Sequence, residues 1–149
     1  MWNKISNSKS IYEFMTKIHN FHDSCIKEIR YISGAWVDEE LSMFPLNNIN
    51  SVEIVFQRQY EDPCALVMRF ADIDVLHLAP INTMYTCEIS DATMFIKNNL
   101  IFWVEDKTMA EENIQNCRGT WISAKEVFWK TTNFCIGKDI IYHAKYEEV

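Results

Sequence analysis

An α+β fold dominated by antiparallel strands, with one N-terminal helix packed on a curved meander sheet or partly open barrel, is what this sequence predicts. Three observations carry that prediction. Apolar residues recur at helical spacing once, near the N-terminus, and at the two-residue spacing of half-buried strands in several later segments. The links between those segments are short, which makes strand neighbours antiparallel. The 149 residues are 48% hydrophobic, so a single domain over 1–149 would bury roughly 70% of its unfolded surface and needs no staples.

The helix is expected to begin at Ser10, whose hydroxyl can cap it while Glu13 completes a capping box. Ile11, Phe14, Met15 and Ile18 then share a face, with Glu13, Thr16, Lys17 and Asn20 largely opposite. Such a stripe wants a sheet to cover. Cys25 to Val37 reads as the first strand, with its alternation slipping around Glu28 and Ser33-Gly34 as a bulge would cause. Val52, Ile54, Phe56 and Tyr60 form a clean half-buried strand, interrupted only by Val55 and Arg58. Leu66, Met68 and Phe70 repeat the pattern, Asp72-Ile73-Asp74 offers a turn or bulge, and Val75 to Pro80 follows. A hairpin is expected over 92–104, because Asn98-Asn99 tolerates the left-handed backbone of a tight turn. Lys107 to Arg118 reads as a surface excursion, with Ile114 almost alone in looking buried. Trp121 to Trp129 and Asp139 to His143 are the last two strands.

The formal charge is −7, with acidic pairs at Glu39-Glu40, Glu105-Asp106, Glu111-Glu112 and Glu147-Glu148. That field disfavours nucleic acid and anionic membranes and would attract a basic protein partner. The N-terminal residues show no apolar export signal. Cys25, Cys64, Cys87, Cys117 and Cys135 are odd in number, scattered and free of CxxC spacing, so they read as reduced thiols in a cytoplasmic protein. With only 3 Gly, neither GxGxxG nor a P-loop occurs, and there is no Gly-x-Ser-x-Gly elbow. No motif asks for a cofactor.

Two groups of residues are candidates for a site. His19 and His22 are three apart, the spacing of one helix face, and Asp23 follows. Two imidazoles and a carboxylate suit a metal, with His77, His143 or Asp74 as a distant third ligand. The competing role is structural: His22 or Asp23 can satisfy backbone groups where helix hands over to strand. His77, between Leu76 and Leu78, equally fits a hydrogen-bonded core histidine. Trp121 and Trp129 are eight apart and so on one face of a continuous strand, where they could line a ligand groove or fill the core. Cys25 lies near His22, but a thiolate pair across such a junction has poor geometry.

Phe21-His22-Asp23-Ser24, Leu76-His77-Leu78, Thr120-Trp121-Ile122-Ser123-Ala124 and Phe128-Trp129-Lys130 together resemble small uncharacterised bacterial proteins of this length. Some of those are near immunity proteins of polymorphic toxin systems. The resemblance spans about residues 12 to 130 and is one of strand and aromatic positions, so it assigns no functional residue. It implies a β-rich cytosolic fold and binding rather than catalysis. The expectation is therefore a non-catalytic binding protein, an immunity-type inhibitor that masks a basic toxin. The alternatives are a small-ligand or metal-binding domain, an enzyme among them, built on His22, Asp23 and a distant histidine, and a module that pairs with itself through an exposed strand edge.

Overall fold

The computed structural model describes residues 1–109, 111–132 and 135–139. Its elements in order are β1 (Asn3–Ile5), α1 (Ser8–Lys17), β2 (Ser24–Ile32), β3 (Trp36–Val37), β4 (Met43–Phe44), β5 (Ser51–Arg58), β6 (Ala65–His77), β7 (Glu88–Ile89), β8 (Thr93–Lys97), β9 (Leu100–Val104) and β10 (Trp121–Thr131). Short 3-10 turns lie at His19–Phe21 and Glu111–Asn116. The expected strand from Asp139 to His143 lies outside the described residues, apart from Asp139.

The main sheet runs β7-β2-β5-β6-β10-β9-β8 and is antiparallel throughout. One side of β10 pairs with β6; the other pairs with β9 in its first half and β1 in its second. The sheet curls into a half-barrel, and α1 fills its hollow. Ile11, Phe14, Met15 and Ile18 of the helix region meet Val52, Ile54 and Phe56 of β5, Leu66, Met68 and Phe70 of β6, and Trp103 of β9. Fully burying side chains of this size is worth about 1.5–3 kcal/mol each, which is why the apolar stripe holds the helix in place.

The two interruptions in the β5 alternation have separate explanations. Val55 faces the convex side, in a small cluster with Ala65, Val67 and Ile136. Arg58 is 7% exposed, and its guanidinium bonds the carbonyls of Ile18 and Pro63, both at 2.8 Å. A cation therefore sits at a core position because it satisfies the helix end. Among the described residues, no helix is long and apolar enough to cross a membrane.

Three expectations are corrected. The helix is capped by Asn7, not Ser10: Asn7 Oδ1 accepts from Ser10 N at 2.9 Å, and Ser10 Oγ accepts from Asn7 N at 3.0 Å. Both residues suit a cap, and the one whose chain is extended takes it. The strand expected over 25–37 is the second, after β1, and ends at Ile32, because Gly34 (φ +96) turns the chain away; an added Cβ there would lie 2.1 Å from Asn48 Oδ1. Finally, Cys64 and Cys135 form a disulfide with Cα atoms 5.5 Å apart, leaving Cys25, Cys87 and Cys117 free among the described residues. Separated by 71 positions, the pair has no local spacing to betray it.

Candidate functional site

The histidine junction is a chain reversal. His19, Asn20, Phe21 and Asp23 all adopt positive φ, between 52° and 63°. These left-handed residues fold the chain back so that Phe21 is fully buried against Phe14, Phe56 and Trp103. Main-chain bonds lock the reversal: Asn20 O accepts from Ala92 N at 2.8 Å, and Asp23 O from Gln59 N at 3.0 Å. His19 stacks on Tyr60 at 4.7 Å, and the Arg58 guanidinium covers the same ring at 4.6 Å. His19 is exposed, and its ring is taken up by this stack.

His22 is exposed. Its Nδ1 bonds the Ser90 carbonyl, and its Nε2 lies 3.6 Å from Asp23 Oδ1. The carbonyl first, then the carboxylate, holds the imidazole above its ordinary value of 6.5. A ring biased toward the protonated form makes a poor metal ligand. Among the described residues no three His, Cys, Asp or Glu side chains gather as a cation site would need. His143, a proposed third ligand, lies outside them.

The other candidates fall elsewhere. His77 ends β6, with Nδ1 2.8 Å from Gly119 O and its ring against Trp121 at 6.0 Å. That is the hydrogen-bonded structural role. Trp121 and Trp129 do not share a face. Trp121 joins Phe102, Val104, Ile114 and Cys117 on the convex side, whereas Trp129 lies inside against Phe14 at 4.9 Å. The cause is an irregularity between β6 and β10: Lys125 and Asp72 are skipped in the pairing, Asp72 has φ +53, and across that point the inward residues of β10 change from even (Ile122, Ala124) to odd (Val127, Trp129). The tryptophans therefore cannot form one groove.

A cavity of about 640 Å³ does open beside the junction, lined by Asp23, Cys25, Arg58, Tyr85 and Cys87 among others. Burial, with Cys87 nearby, pushes the Cys25 thiol up, opposite to what a thiolate nucleophile needs.

Among the described residues, a cluster of exposed apolar side chains lies where the sequence offered only the end of a strand and a loop. β3 and β4 form a separate two-stranded hairpin. Trp36 stacks on Phe44 at 4.2 Å, and Asp38 Oδ1 accepts from the main chain of Glu40 and Ser42, both at 2.9 Å. At its base Ser33 O accepts from Ile49 N and Asn50 N. A well-bonded hairpin thus presents Trp36 (56% exposed), Met43 (68%) and Leu41 (84%), with Val37 and Leu46, around the acids Asp38, Glu39 and Glu40. No Lys or Arg occurs between Arg30 and Arg58. That gap, together with apolar residues lacking strand alternation, was the available signal.

Nothing among the protein-family models, curated proteins or solved structures compared with this chain matches it.

Proposed function

We propose that the chain is a non-catalytic binding protein whose β3–β4 hairpin docks on a basic protein, in the manner of an immunity-type inhibitor covering a toxin. One observation carries the reading: an ordered hairpin that leaves large apolar side chains in water beside three carboxylates, in a segment without Lys or Arg. Exposed apolar groups of that size mark interaction surfaces, and an aromatic among them makes a natural anchor. The carboxylates select a basic counterpart and speed its approach. The resemblance to proteins near toxin-immunity families points the same way and suggests the cytoplasm, where the Cys64–Cys135 bond would meet reducing conditions. A small-ligand reading is favoured by the cavity at Asp23, whose size suits a metabolite.

The test uses the whole protein as bait in lysate of its own cell, beside a Glu39→Lys/Glu40→Lys form. The expected result is a basic protein held stoichiometrically at low salt, released by added salt and lost from the charge-reversed bait. The same retained set on both baits removes the hairpin reading.

A further inference from the structure

β8 ends the main sheet, so among the described residues no strand pairs with its outer edge. Asn98 and Asn99, with φ of 51° and 61°, close a two-residue turn between Lys97 and Leu100. Such a turn makes Lys97 and Leu100 a hydrogen-bonded pair. Counting back, Phe95 and Thr93 also bond toward β9, so the main-chain groups of Met94 and Ile96 point away from the sheet. The Ala92 N–H confirms the parity from the other end, since it bonds outward to Asn20 O at 2.8 Å. Among the described residues, no backbone hydrogen bond outside the sheet ladders reaches Met94 or Ile96.

A cavity of about 660 Å³ runs along this edge. Its lining takes every residue from Asp91 to Ile96. Side chains of a strand alternate between faces, so a cavity touching consecutive residues lies along the strand's edge and not over one face. Tyr12 and Met15 of α1 form one wall; Lys107 and Glu111 lie on the other side.

We infer that this groove binds an extended peptide segment of a partner, which adds as a further strand to β8 through the main chain of Met94 and Ile96. The two residues are about 7 Å apart along the strand, the repeat of alternate residues in an extended peptide. A second copy of this chain is the poorer occupant. It carries the same −7 and the same excess of acid along this groove, so two such edges repel one another. A single extended segment can enter. Asp91 and Glu111 outnumber Lys107 in the lining, and the whole chain carries −7, so the segment is flanked by basic residues. This site is independent of the hairpin.

The probe is a fluorescent, end-blocked peptide of alternating valine and threonine with a lysine at each end, titrated into the full chain. The expected result is saturable binding, with slowed hydrogen exchange at the Met94 and Ile96 amides. N-methylating alternate peptide residues in one register weakens binding about tenfold or more, and in the other register leaves it unchanged, because only one register faces β8. Glutamates in place of the terminal lysines also weaken it. The recognition proposed is of backbone, so no binding at millimolar peptide overturns it. Equal effects of both methylation registers do the same. Protection of the Met94 and Ile96 amides that grows with protein concentration, without peptide, gives the edge to a second copy instead.

Discussion

His22 shows how a single side chain couples to its surroundings without forming a site. The Ser90 carbonyl and the Asp23 carboxylate both favour the ring that carries two N–H groups. A histidine whose folded pKa is raised contributes its stabilisation fully below the ordinary 6.5 and loses it as pH rises through the higher folded value. The titration of the His22 ring protons by NMR should therefore centre above 6.5. Asp23→Asn should lower the midpoint yet leave it raised, because the carbonyl is the larger cause. A wild-type midpoint at or below 6.5 would mean that the ring does not engage Ser90. The pairing with Asp23 was legible, since the two residues are adjacent. The one with Ser90, 68 positions away, was not. Trp121 and Trp129 failed for a related reason: counting by eights assumes an unbroken strand, and one irregularity moves them to opposite faces.

At the scale of elements, local chemistry was read well and boundaries less so. The helix stripe of Ile11, Phe14 and Met15 is buried as its spacing demands, and Asn98-Asn99 turns the β8–β9 hairpin. The cap was misplaced by three residues because Ser10 with Glu13 also fits the pattern. In the folded chain Ser10 serves as the third helical residue, and Glu13 pairs with Lys9 at 3.7 Å instead. Asn7→Ala removes the acceptor of the Ser10 N–H, so the urea midpoint should fall by an amount equivalent to about 1 kcal/mol. Ser10→Ala should cost a similar amount, and the double variant less than the sum, because the two side chains satisfy each other's backbone. Additive losses would argue against the reciprocal cap. Short strands such as β1, β3, β4 and β7 left no periodic signal, since two or three residues cannot establish a period.

The molecule as a whole is held by contacts between distant parts of the chain: β1 pairs with β10 across 126 positions, and a disulfide joins residues 71 apart. Cys64 lies just before β6, and Cys135 follows β10. The bond closes 71 residues of chain over a sheet in which β6 and β10 are already paired along their length. Its stabilisation therefore acts mainly by restricting the unfolded chain, not by holding two native strands together. For a loop this long the chain-entropy effect is about 4 kcal/mol. Protein purified without reductant and then unfolded should show three free thiols of five. Adding reductant should lower the unfolding midpoint while leaving the β-sheet circular dichroism of the folded protein unchanged. Reductant that melted the sheet would make the bond a condition of folding and place the protein in an oxidising compartment, against the cytoplasmic reading. Five thiols in protein prepared from a reducing cytosol, with the sheet intact, would agree with it.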